Sequence, residues 1–272
     1  MKPIKILKLK QNGFTLVELI AVLVILAIVA GFSTRFIVSS VEQYNQTQFR
    51  AKLTNKSRQA IERMTRQLRL ALPHSVRFTT ANQGCIAFLP VVGGGNYTTR
   101  VPDQASGGSS SIVAAGPYRV DSGTARMMSI GALDSGEVFG ASPDSVALLN
   151  PTIAASAGFL AAGNITLSAA KQWERNSPQR RFYLLDNPEA FCVVANELRY
   201  YNEFDTTPPW DTAVDPTSDY QLLSTSVSSG GTIFDLVDGT ESRSAVIEVD
   251  ISFTEGGETV SYEHQVHLRN VP

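Results

Sequence analysis

Apolar positions run without a break from Phe14 to Thr34, FTLVELIAVLVILAIVAGFST, with Glu18 as the single charge. A 21-residue run in helical form spans about 30 Å, the hydrocarbon thickness of a bilayer. Beyond Arg35 the pattern opens out. Ile37, Val41, Tyr44, Phe49, Leu53, Ala60, Ile61, Met64, Leu68 and Leu72 recur near helical spacing. No proline lies between residues 4 and 72, and Pro73 can end a helix. The spacing thus predicts one helix of about 59 residues, with Gly31, Ser33 and Thr34 as its soft point and the apolar stripe of its second half laid on a globular body.

After Pro73 the period shortens. Strands are predicted at Ser75–Thr79, Cys85–Leu89, Ser145–Leu149, Asn164–Leu167, Arg181–Asp186, Phe191–Ala195 and Glu197–Tyr201. Gly93-Gly94-Gly95, Ser106–Ser111 and Asp205–Asp219 read as loops. The tail is clearest. Ile247, Val249, Ile251 and Phe253 alternate with Val246, Glu248, Asp250 and Ser252, then turn at Glu255–Glu258 into Thr259–Leu268, which predicts a hairpin with one buried face.

The chain of 272 residues has a formal net charge of -2, which excludes a strongly basic nucleic-acid binder. That total hides an asymmetry. Residues 1–13 carry four lysines and no acid, residues 35–77 are +7, and residues 78–272 are -12. A basic leader before an apolar run stays cytoplasmic and sends the rest across the membrane. On the +7 helix, Arg58, Arg63, Arg66 and Arg69 either form a solvated face or meet the acidic surface of the same domain or a neighbour. Glu18 is costly within lipid and needs a cation at the same depth.

Three readings of the first 34 residues stand: a secretory signal peptide, a plain signal anchor, and a prepilin-type leader. A signal peptide lacks a convincing small-x-small cleavage site here. The stretch K-Q-N-G-F-T-L-V-E-L-I, Lys10 to Ile20, resembles the leader of type IV pilins and of type II secretion pseudopilins. The resemblance implies cleavage after Gly13 by a membrane prepilin peptidase and methylation of the new amine on Phe14. It also implies that Glu18 pairs with the Phe14 amine of a neighbouring subunit during assembly. The implied fold is α+β, type IV pilin-like, with a long helix on an antiparallel sheet. Its parts would be a leader (1–13), a transmembrane helix (14–34), an amphipathic continuation (35–72) and a periplasmic β-rich domain (73–272). The implied partners are other minor and major pilins, the peptidase and an inner-membrane assembly platform. Arg58–Arg77, Cys85–Pro90, Phe191–Val193 and His264–Pro272 resemble the minor pilins of the J, W and O types, nearest to the O type of the mannose-sensitive haemagglutinin (MSHA) pilus. A type II secretion pseudopilin or a membrane-anchored adhesin are the alternatives.

Little else in the sequence suggests chemistry. Cys85 and Cys192 lie in apolar strand-like segments outside the membrane, where an oxidising compartment favours a bridge over two buried thiols. His264 and His267, three apart on a strand, face opposite sides and make a poor zinc pair. Asp205, Asp211, Asp215 and Asp219 could ring a calcium ion, as in some pilin-like proteins. Their spacing is not that of an EF-hand, and a solvated acidic loop is the simpler reading. No nucleophile triad or phosphate loop is present, so a structural rather than an enzymatic role is expected, with no cofactor.

Overall fold

The computed structural model describes residues 13–78, 84–139, 145–202, 219–228, 231–237 and 245–268. The chain divides into two compact units, Met1–Ala51 and Lys52–Pro272. One α-helix, α1 (Leu16–Leu68), contributes to both.

In the first unit every described residue is exposed, the apolar ones included. The helix runs through Gly31 unbroken. A glycine costs a helix about 1 kcal/mol relative to alanine, which a helix of this length absorbs.

In the second unit α1 turns amphipathic. Leu53, Ala60, Ile61, Met64 and Leu68 are buried, while Arg58 and Arg66 stay exposed. The helix stops at Leu68 rather than at Pro73. The chain leaves it because its backbone is recruited elsewhere: Leu72 N–H donates to the Leu89 carbonyl (2.9 Å) and Val91 N–H to that of Leu70 (2.7 Å). Pro73 opens a short 3₁₀ turn, Pro73–Ser75, which takes Ser75 out of the strand predicted at Ser75–Thr79. The buried Ser75 hydroxyl donates to the Leu72 carbonyl and accepts from Leu89 N–H, which ties this turn to the next strand.

β1 (Arg77–Phe78) and β2 (Cys85–Phe88) follow. The chain then enters a region of its own: β3 (Val91–Tyr97), β4 (Ser110–Val120), β5 (Thr124–Ser129), the single turn α2 (Gly136–Phe139), β6 (Val146–Ala154), β7 (Phe159–Leu160), β8 (Gly163–Lys171) and β9 (Arg181–Leu185). These strands pair in the order β3-β9-β5-β6-β8-β4, and β4 pairs back onto β3. The ring closes, with β7 appended to β4. Every ring strand sends apolar side chains to one cluster, among them Tyr97, Tyr118, Met128, Leu149, Ile165 and Phe182, with Trp173 buried alongside. It is a small antiparallel barrel filled with side chains, with no free edge around its ring.

Gly93-Gly94-Gly95 is therefore not a loop. It lies in β3, paired with β4 and β9 at once. A Cβ on Gly93 would run into the Arg119 carbonyl oxygen, and one on Gly94 would sit 2.8 Å from that of Phe182. The glycines let three strands close tightly, a packing role that resembles flexibility when read from sequence.

The chain returns through β10 (Glu189–Val194), β11 (Glu197–Tyr201), β12 (Gln221–Thr225), β13 (Val227–Ser228), β14 (Phe234–Val237), β15 (Val246–Glu255) and β16 (Glu258–His267). β1-β2-β10-β11-β12 form one antiparallel sheet; β15 carries β16 on one side and β13 and β14 on the other. The expected helix on antiparallel sheet is present. The observed framework has two such sheets, both packed on the second half of α1. Ile86, Phe88, Phe191, Leu198 and Tyr200 from the first and Ile247, Val249, Ile251 and Phe253 from the second share a core with Met64 and Leu68. The terminal hairpin turns at Glu255–Glu258 as its alternation predicts. The fold is α+β: a long apolar helix with an antiparallel, sheet-rich body.

Candidate functional site

The residues that the leader pattern singled out lie at the start of α1. Thr15 caps the helix: its hydroxyl accepts from Glu18 N–H at 3.3 Å. Threonine followed three residues later by glutamate is the capping-box spacing, so Glu18 occupies the first turn, where the helix dipole favours a carboxylate. The Thr-x-x-Glu signal was readable in the sequence. Gly13 and Phe14 precede the cap, and Phe14 is 78% exposed. An 18-residue window of this helix is long and apolar enough to cross a membrane, and none of that window is buried in the fold. The helix therefore presents, in order, a glycine, an exposed aromatic, a hydroxyl cap, one carboxylate and a wholly apolar cylinder. Such a surface is stable only in lipid or against other apolar helices.

Residues 8–34 match the prokaryotic N-terminal methylation motif. No curated protein and no solved structure matches the chain. The motif supports a type IV pilin-like or pseudopilin subunit, structural in character and anchored in a membrane.

The other candidates fall in the second unit. Cys85 and Cys192 stand opposite each other on β2 and β10 and are bonded, with a Cα–Cα distance of 4.0 Å. Together with Ala87, Ala190 and Tyr201 they form a small cluster on the face away from α1. Asp205, Asp211 and Asp215 lie outside the described residues; Asp219 is exposed. His264 and His267 lie on β16, and among the described residues no three His, Cys, Asp or Glu side chains are grouped to hold a metal.

The basic helix does meet acid, though not as expected. Lys52 and Lys56 approach Glu255 at 4.0 and 3.9 Å, and Lys56 also donates to Thr225. Of the four arginines, Arg63 is engaged. Its guanidinium lies over the Tyr200 ring at 5.0 Å and donates to Gln221. Beside it stands Glu189, on β10 where the chain leaves the barrel. Burial raises the Glu189 carboxyl to about 7; the Tyr200 hydroxyl and Arg63 oppose the rise, and Asp186 adds to it. No local sequence signal marks this group, because its burial depends on α1 and on β11, which are remote in the chain.

Proposed function

We propose that this protein is a minor pilin-like subunit, cut after Gly13, methylated on Phe14 and incorporated into a type IV filament of MSHA-like kind. The observation that carries the reading is the coincidence of the methylation motif at residues 8–34 with a fully exposed apolar run, residues 14–34, whose one acid, Glu18, sits in the first turn of the helix.

The physical argument runs through charge. Cleavage after Gly13 frees an ammonium on Phe14, next to the positive end of the helix dipole, where a cation is disfavoured. In lipid both that ammonium and the Glu18 carboxylate are costly alone. A neighbouring subunit displaced along the helix axis brings its Glu18 to this amine and neutralises both. The pairing fixes the stagger of subunits as a filament grows, while apolar side chains of adjacent helices pack around it.

Residues 14–34 then serve as the single inner-membrane span, with the amino terminus cytoplasmic and the β-rich body periplasmic. The helix of residues 35–68 leads into that body. The other partners are major and minor pilins, the prepilin peptidase and the assembly platform.

The intact mass of the mature protein tests this. Loss of residues 1–13 together with gain of one methyl group on Phe14 is the expected result; an uncut chain, or cleavage at another bond, refutes it.

A further inference from the structure

Two cavities meet where α1 ends against the barrel. The first, about 540 Å³, lies over β3 and the start of β9 and has Arg69, Asn96, Ser122 and Arg181 in its walls. The second, about 190 Å³, is mostly apolar, with Leu72, Ala132, Leu133 and Pro178 in its walls and His74, Arg175 and Asn176 on its polar side. They share Pro73, Arg181 and Tyr183. The first has the volume of a small-ligand site, and the second holds roughly one apolar side chain.

The charge at the junction is unbalanced. Arg69 and Arg181 form no ion pair among the described residues. The one acid in the first wall, Asp121, is taken by Arg119 at 2.8 Å. Arg175, in the second, is held by both carboxylate oxygens of Glu137 at 2.6 Å. Arg69 alone could be read as complementing the carbonyl end of α1. Arg181 is on a strand and has no such role. The buried Tyr183 hydroxyl faces Arg181 and finds no acceptor among the described residues. Two cations and an idle hydroxyl proton thus border a largely apolar recess, although residues 78–272, which supply Arg181, are -12 in sum. Leu70 and Leu133, at 41% and 58% exposure, leave apolar surface at the two mouths.

We infer that this bilobed cleft binds the carboxyl terminus of a partner polypeptide, the carboxylate received by Arg181, Arg69 and the Tyr183 hydroxyl and the last side chain, apolar, seated in the smaller lobe. An Arg–carboxylate pair supplies the charge-assisted bonds that such a terminus forms. An apolar side chain beside a carboxylate matches the adjacency of the two lobes. The inference does not depend on the pilin reading.

The test uses the full chain in detergent and fluorescence anisotropy of a labelled hexapeptide ending in a free leucine carboxylate. The same peptide as its carboxamide, and free glucuronate as competitor, are the controls. The acid is expected to bind, and the amide about tenfold more weakly or worse, the loss of a charge-assisted contact. Arg181→Gln is expected to reduce binding of the acid to that of the amide. Arg69→Gln, at an exposed position that does not threaten the fold, is expected to weaken the acid and leave the amide unchanged. Leu133→Asp is expected to weaken both. Equal binding of acid and amide, absence of binding by either, or displacement of the peptide by glucuronate at equal concentration would each overturn the inference, the last in favour of an acidic-sugar site.

Discussion

The barrel and the helix-backed framework solve the same problem in opposite ways. The framework is open: its sheets bury one face by laying it on Met64, Leu68 and their neighbours in α1, and a disulfide joins two of its strands. The barrel borrows no helix and contains no disulfide; it buries its inner face by closing on itself. The barrel is joined to the framework between β2 and β10, and among the described residues a small cluster, Leu72, Leu89, Met127, Val138, Phe139, Val146 and Leu185, lies between them. The difference teaches that the barrel is an insertion in a hairpin. Its first and last strands already pair, Val91 with Leu185, so its two ends arrive together where β2 and β10 need them.

The largest effect that probes this independence is loss of the disulfide. Cys85 and Cys192 are separated by 107 residues, and if the whole loop is disordered on unfolding, closing it contributes about 5 kcal/mol in the entropy model. If the barrel persists while the framework unfolds, Val91 stays beside Leu185, and the effective loop falls to about 15 residues, worth about 3 kcal/mol. Denaturant unfolding of a Cys85→Ala, Cys192→Ala double variant decides between them. A loss near 3 kcal/mol supports an independent barrel; one near 5 kcal/mol merges the two regions.

Core truncations come next. Phe182→Ala in the barrel and Met64→Ala in the framework are each expected to cost about 3–4 kcal/mol. Hydrogen exchange reads the two regions separately. Phe182→Ala should release amides of β8 before those of β15, and Met64→Ala the reverse; simultaneous release in both variants breaks the comparison.

Glu189, at the neck, gives a smaller effect with a definite sign. Its folded carboxyl titrates at about 7 against an ordinary 4.5. Between these values the unfolded chain is ionised while the folded one keeps its proton, so the native state binds more protons. Stability then falls as pH rises through that window and levels off above 7. The decline from this group is on the order of 3 kcal/mol at most. Glu189→Gln is expected to flatten the urea midpoint between pH 5 and pH 8, chiefly in framework probes; an unchanged slope refutes the assignment.

Smallest is Lys56→Met. Its contact with Glu255 is long and partly exposed, and its loss is expected to shift stability by less than about 1 kcal/mol, as such pairs do. A larger shift in the thermal midpoint would show that the basic helix is held on its sheet by charge as well as by Leu53, Ile61 and Met64.

Sequence patterning made much of the framework and the barrel strands β6, β8 and β9 legible, and left β3, β4, β5 and the closure of the barrel obscure, for physical reasons. Ile247 to Phe253 alternate because one face is wet and the other packed, and Glu197–Tyr201 is bounded by turn residues, so those strands can be read locally. The leader, too, is contiguous: glycine, aromatic, cap and acid fall within six residues. Barrel strands such as Ser110–Val120 are rich in Ser, Ala and Gly, because a narrow ring favours small side chains on its walls. Closure itself is a pairing of β3 with β4 and with β9, about 90 residues on, which no periodicity records. Arg69 and Arg181 are likewise remote in the chain, and only the fold brings them to one cleft.

The position of the disulfide has a mechanical consequence. A pull on the barrel directed away from the framework would peel β2 from β10, starting at the Phe88–Glu189 pair. The tear can advance through Ala87–Ala190 and Ile86–Phe191, and at the fourth pair it meets the covalent bond between Cys85 and Cys192. Tension from that end is therefore arrested after three rungs, and the core shared with α1 bears the load as a whole rather than being unzipped strand by strand.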